Sequence, residues 1–425
     1  MKITPHAPIS RREFLGIGTM ACASALLPSQ IFGGERPASA ELPLEIVQIS
    51  RATKPIILIW LQGGASHFDT FDPREPGTPE EIKGPFGSIA TTQTGVHVSD
   101  RLPFMARKMH EVALYRNIYH TQSLHDGASS LCLTGSHLLR SGGNLLSPSP
   151  QKDSFQVHLS RFLTRRENIG YIGMDANTER SPIGALQANH EEAFFVSCDF
   201  RNGNIYPVSI GESFDEERHR QRTGLLNVIN RNSISGEAID RWNHVYPMAS
   251  RFLTGDIRQA FDLNRVPDRT RNRYGQNPFG NAALIASRLV HSGAKLVVIN
   301  DGSWDTHWEL ERVLNRLVPR LDRGLSALID ELKDECIIAV ASEFGRTPLY
   351  AIPYPDSTDE LGTHGREHWP FSNFMILAGP GVSTGVIGRV RNDGVITGND
   401  GVINGQEIGR RILNAAGYDL RVRSN

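Results

Sequence analysis

The sequence predicts an α/β fold built on a largely parallel sheet, and three observations carry that expectation. Continuous apolar runs recur at Pro55 to Leu61, Ala294 to Ile299 and Cys336 to Val340, each of strand length and too uniformly apolar to leave one face in water. Segments with helical spacing lie between these runs, and strand, helix, strand alternation gives parallel neighbours. Each run leads into a turn rich in Gly, Ser, Asp, Glu or Arg. Ligands of open α/β sheets bind in that place, beyond the carboxyl ends of the strands.

In chain order, the first 40 residues stand apart. Ser10-Arg11-Arg12-Glu13-Phe14-Leu15 carries a twin arginine, a weakly apolar run reaches from Gly16 to Leu27, and Ala38-Ser39-Ala40 offers a small-residue cleavage site. Residues 1–40 read as a signal for the twin-arginine export machinery, with a mature chain from about Glu41 carried already folded to the periplasm or beyond. The apolar run is too short and too interrupted for a permanent membrane span. Cys22 leaves with the signal, so Cys132, Cys198 and Cys336 allow at most one disulfide, and none has the C-x-x-C spacing of a zinc or redox site.

Residues 41–425 read as a single domain. After the strand at 55–61 comes a weaker copy at Glu111 to Tyr115. A stretch dense in Arg and Glu, from about 211 to 275, has helical patterning and reads as a helical insertion. Ala283, Leu284, Ala286, Ser287 and Val290 pattern a helix over Asn281 to His291, ended by Gly293. Trp308 to Lys333 places Leu310, Val313, Leu314, Leu317, Leu321, Leu325, Leu328 and Leu332 at helical spacing between the second and third apolar runs. Phe371 to Ala378 and Gly385 to Arg391 read as further extended segments, and Gln406 to Ala416 as a last helix.

Lys and Arg number 45 against 46 Asp and Glu, and no basic block forms a phosphate-binding face, so nucleic acid is excluded as an expected partner. The chemistry-bearing segments are the turns. Gly63-Gly64-Ala65-Ser66-His67-Phe68-Asp69 follows the first run, Trp304-Asp305-Thr306-His307 the second, and Glu343-Phe344-Gly345-Arg346 the third; His364-Gly365-Arg366-Glu367-His368-Trp369-Pro370 precedes another apolar strand. Carboxylates and imidazoles gathered at one sheet edge are the usual ligands of a divalent ion, and such an ion polarises phosphoryl or sulfuryl oxygen. Arg346 or Arg366 is the candidate to hold an oxyanion in its planar fork. Asp305 or Thr306 is equally a candidate N-cap for the helix beginning near Trp308.

Taken together, these motifs and the twin-arginine start resemble the bacterial exported family called domain of unknown function 1501, over nearly all of the mature chain. That family is similar to the alkaline phosphatase and sulfatase superfamily. The resemblance implies an alkaline phosphatase-like three-layer sandwich with helices on both faces of the sheet and a metal site at its carboxyl edge. It also implies a helix over His125 to Gly135, with His125 where the superfamily has its nucleophile. No Ser, Thr or Cys stands there, and no Cys has C-x-P-x-R surroundings, which disfavours an ordinary type I sulfatase. The implied ligands of one divalent ion, Zn, Mn, Ca or Mg, are drawn from Asp69, Asp305, His307, Glu343, His364 and His368.

Two functions follow as expectations. One is a metal-dependent hydrolase of phosphate or sulfate esters, its substrate an anionic small molecule or a polysaccharide ester. His125 then acts as general acid, base or unusual nucleophile, with water activated by the ion as the conventional attacker. The other is a catalytically inactive binding or structural protein of the cell envelope that kept the sheet without the nucleophile.

Overall fold

A computed structural model describes residues 44–135, 153–164, 171–176, 193–196, 215–231, 255–350, 364–398 and 400–422. The segment read as an export signal and its expected cleavage site lie outside the described residues, as does Cys198. The chain divides into two units. Of the smaller, which takes in residues 218–247, the described part is most of one helix, Glu216–Arg231. All that follows concerns the larger unit.

Its centre is a nine-stranded sheet. In chain order the strands are β1 (Ile56–Leu61), β2 (Val112–Tyr119), β3 (Tyr171–Asp175), β4 (Ala193–Val196), β5 (Leu296–Asp301), β6 (Ile337–Ala341), β7 (Asn373–Ala378), β8 (Gly385–Ile387) and β9 (Ile403–Asn404). Across the sheet they run β8, β2, β7, β6, β1, β5, β3, β4, with β9 also paired to β2. The register of β1 joins Ile56 to Leu296 on one side and Ile56 to Ile337 on the other, both parallel. β1, β5, β6 and β7 are buried at every position, which explains their unbroken apolar sequences.

Successive residues of a strand point to opposite faces, and the core divides accordingly. Ile57, Ile59 and Leu61 join a cluster with Phe279, Ala283 and Leu289 of α3 (Pro278–His291) and Leu314, Leu321 and Leu328 of α4 (Leu310–Leu332). Ile56, Leu58 and Trp60 join a second cluster with Cys132 of α1 (His125–Thr134), Phe155 and Leu159 of α2 (Phe155–Thr164), and Ile408 and Ile412 of α5 (Ile408–Ala415). The result is a three-layer α/β sandwich with helices on both faces. Cys132 and Cys336 are buried free thiols on opposite sides of it.

Two details differ from the sequence reading. The run before Ala378 forms β7, and β7 is antiparallel to both its neighbours, β2 and β6. An apolar run encodes burial but carries no direction, so this reversal has no signature. Neither Asp305 nor Thr306 caps α4, because the helix starts at Leu310 with Glu309 at the cap position in a left-handed conformation. Among the described residues of 211–275 lie helices and one 3-10 turn. No helix among the described residues is long and apolar enough to cross a membrane.

The reversal of β7 matters for the site. The carboxyl ends of β1, β2, β5 and β6 share one edge of the sheet, and the amino end of β7 joins them there. The segments following residues 61, 119, 301 and 341 and the segment preceding 373 therefore converge.

Candidate metal centre

Asp305 is the hub of that edge. Its Oδ1 lies 2.9 Å from His307 Nε2 and 3.3 Å from His368 Nε2, its Oδ2 lies 3.2 Å from His125 Nε2, and Arg346 donates to Oδ1. One ligand atom each from His125, Asp305 and His368 lie within 4.8 Å of one another. His307 Nε2 is 3.0 Å from His368 Nε2. The Asp305 side chain is 43% exposed and that of His125 27%, so the cluster opens to solvent on one side.

The loop carrying Asp305 is held by close backbone approach. Trp304 N–H donates to the Gln62 carbonyl and Arg366 N–H to the Thr306 carbonyl. A Cβ at Gly63 would overlap the Asp305 amide nitrogen, and one at Gly365 would overlap the His307 carbonyl. Glycine at these two positions lets the turn after β1 and the segment before β7 press against the same loop.

Behind this cluster sits Glu343, fully buried. It accepts from the Gly63 N–H at 2.7 Å and pairs with His125 Nδ1 at 2.8 Å. The Phe344 ring packs beside both His125 and His368, with centroids 5.0 and 4.4 Å away, and forms an apolar wall. Burial opposes charging of His125, but hydrogen bonds to Asp305 and Glu343 raise its pKa to about 9. His307 is also raised, chiefly by its hydrogen bond to Asp305. Burial pushes the Asp305 pKa up, and its three histidine partners with Arg346 more than reverse this, holding the carboxyl well below the usual range.

The sequence-derived candidates thus sort into two groups. Asp305, His307, His368, His125, Glu343 and Arg346 come together. Asp69 and Arg366 do not join them: they pair with each other, both fully buried, and Arg366 also donates to the carbonyls of Thr347, Pro348 and Ile82. Arg366 is therefore a clamp between loops and offers no fork to an oxyanion, and Asp69 is its counter-ion rather than a metal ligand. Arg346, equally buried, spends its donors on the carbonyls of Gly63, Gly64 and Arg366 and on Asp305, so it too supports the site from within. His364 accepts from Leu310 N–H through its carbonyl and stands beside Tyr350, apart from the cluster.

Three participants escaped the sequence reading. Glu367 pairs with His307 Nδ1 at 2.8 Å, and its place between Arg366 and His368 was the available signal. The Ser123 carbonyl meets His368 Nδ1 at 2.6 Å, and a backbone atom leaves no trace in sequence. His120, buried, holds the Glu343 carbonyl through Nε2 at 2.6 Å.

The cluster fits a divalent ion on its donor chemistry. The atoms facing one another there are imidazole nitrogens and carboxylate oxygens, acceptors unless protons intervene. Ligands about 2.0–2.1 Å from a tetrahedral ion lie about 3.3 Å apart, close to the 2.9 to 3.3 Å between Asp305 and each ring and the 3.0 Å between His307 and His368.

A family described as "Protein of unknown function (DUF1501)" matches residues 53–422. No curated protein matches the chain. Among solved structures, it is similar to a protein in the alkaline phosphatase superfamily from Vibrio parahaemolyticus (12% identity, 98% of this chain and 77% of that chain, TM-score 0.40). It is also similar to the PsFucS1 sulfatase from Pseudoalteromonas sp. (13% identity, 96% and 72%, TM-score 0.39) and to the periplasmic domain of EcEptC from Escherichia coli in complex with Zn (9% identity, 89% and 87%, TM-score 0.40).

Proposed function

The chain belongs to the DUF1501 family of proteins of unknown function, and from that footing we propose that it is an exported, metal-dependent hydrolase of phosphate or sulfate esters. The observation that carries this reading is the meeting of His125, Asp305 and His368, with His307 beside them, at an open sheet edge. When bound there, a divalent ion supplies Lewis acidity toward an ester oxygen.

The chain's own residues prepare that chemistry. Asp305 and the histidines would hold the ion, and Arg346 fixes the Asp305 carboxylate and the Gly63-Gly64 turn together. Glu343 orients the His125 ring through Nδ1. With an imidazole rather than a hydroxyl or thiol at the start of α1, the residues favour attack by water over a covalent route. Solvent exposure of Asp305 gives an anionic ester a path to the cluster, while Phe344 keeps one side dry. An anionic small molecule or a polysaccharide ester is the substrate class, and periplasm or cell exterior the location, by way of the twin-arginine signal in residues 1–40.

The missing hydroxyl or thiol also favours a second reading, a sulfatase-like binding or structural protein of the envelope that does not turn over. Assay of metal-loaded mature protein against aryl phosphates, aryl sulfates and sulfated oligosaccharides separates the two. Turnover that chelator removes and metal restores supports the hydrolase; binding of the oligosaccharide without turnover of any ester supports the second reading.

A further inference from the structure

Each of the three histidines at the cluster has its Nδ1 on an oxygen that can only accept. His125 Nδ1 meets the Glu343 carboxylate at 2.8 Å, His307 Nδ1 the Glu367 carboxylate at 2.8 Å, and His368 Nδ1 the Ser123 carbonyl at 2.6 Å. A hydrogen bond at each of these contacts requires the proton on Nδ1. In the neutral ring the lone pair is then on Nε2, and all three Nε2 atoms face Asp305 at 2.9 to 3.3 Å. Three acceptors from three separate segments are thereby fixed in one tautomer and aimed at one carboxylate. With all three rings neutral, as metal ligands must be, Asp305, Glu343 and Glu367 set against the guanidinium of Arg346 leave two negative charges, which matches one divalent ion.

We infer that His125, His307 and His368, with Asp305, form a preorganised three-nitrogen, one-oxygen site selecting zinc-class ions over calcium or magnesium, with Glu343 and Glu367 as positioning residues that lock the tautomers. The inference rests on the metal-dependent reading above and narrows it. His125 becomes a ligand rather than a nucleophile. Imidazole-rich sets prefer zinc, cobalt and nickel, whereas calcium and magnesium prefer shells of oxygen alone. Outer partners on the second ring nitrogen fix ring orientation and raise ligand basicity.

The test uses mature, metal-stripped full chain titrated with zinc, calcium and magnesium chlorides, and with cobalt chloride followed by visible absorption. Zinc is expected to bind tightest, at one ion per chain, and cobalt to give the intense band of a four-coordinate site. Glu367 is partly exposed, so Glu367→Ala tests the lock without opening the core. Its zinc affinity should fall about 10- to 100-fold. Glu367→Gln, whose amide oxygen still accepts from Nδ1, should recover most of the loss, and Asp126→Ala, at an exposed position in the first turn of α1, should change nothing. Tighter binding of calcium or magnesium than zinc, a weak six-coordinate cobalt band, or unchanged zinc affinity in Glu367→Ala overturns the inference while leaving a metal-dependent hydrolase intact. Zinc bound as inferred, with no ester turned over, overturns the hydrolase and leaves the site standing. Failure to bind any of the four ions overturns both.

Discussion

The Nε of Arg366 donates to Asp69 Oδ2 across 2.7 Å, with both side chains shut off from solvent. Removing one member leaves the other charge buried and uncompensated, a loss of about 3–5 kcal/mol. Asp69→Ala should therefore lower the denaturation midpoint steeply, while its folded fraction retains one metal ion per chain. A variant of wild-type stability without metal would return Asp69 to the ligand set.

Asp305→Ala is expected to do the reverse. The side chain is substantially exposed, so folding should survive in metal-free buffer, yet every imidazole of the cluster loses its common partner. Metal at about 100 times its Kd stabilises a binding protein by about 2.7 kcal/mol. The rise in Tm on adding metal should thus be present in wild type and absent in Asp305→Ala, as measured by thermal melts. Elemental content at wild-type level in the variant would contradict the assignment.

The metal-stripped protein should lose stability as it is made alkaline. Hydrogen bonds that the His125 ring donates to Asp305 and Glu343 overcome burial and raise His125 to about 9, from an ordinary value of 6.5. Folding therefore favours the charged ring. Its contribution is complete below about pH 6.5 and disappears as pH climbs through about 9. Because Asp305 is partly solvated, this contribution is on the order of 1–3 kcal/mol. Melts in chelator at pH 6, 7.5 and 9.5 should show the decline in wild type and a shallower one in His125→Gln.

Gly63 has φ +112°, and a Cβ there would overlap the backbone of Trp304 and Asp305. Gly63→Ala is expected to cost at least 1–3 kcal/mol and to displace Asp305, so zinc binding should weaken along with Tm. Unchanged zinc affinity would mean that the Asp305 loop is positioned without this contact.

The sheet was readable because β1, β5 and β6 are buried on both faces, and only unbroken apolar sequences tolerate that. Asp305, His307, Glu343 and His368 were readable because they directly follow or precede such runs. The opposite fate of Asp69 was not. Its motif beside Gly63 and Gly64 looks like the others, and only tertiary contact decides that its partner is Arg366, 297 residues away. Likewise, the second nitrogen of each histidine is engaged by groups as unlike as Glu343, Glu367 and the Ser123 carbonyl. That choice is set by the meeting of loops.

The bond between His368 and the Ser123 carbonyl spans 245 residues of chain. On a ribosome, α1 emerges long before the segment that completes the cluster, and β7, the reversed strand between β2 and β6, emerges after both. An ion therefore cannot seed this fold as it seeds a zinc finger, where ligands are close neighbours in sequence. An ion bound at this edge would enter a sheet almost finished, so the compartment in which the sheet is completed would decide which ion it takes.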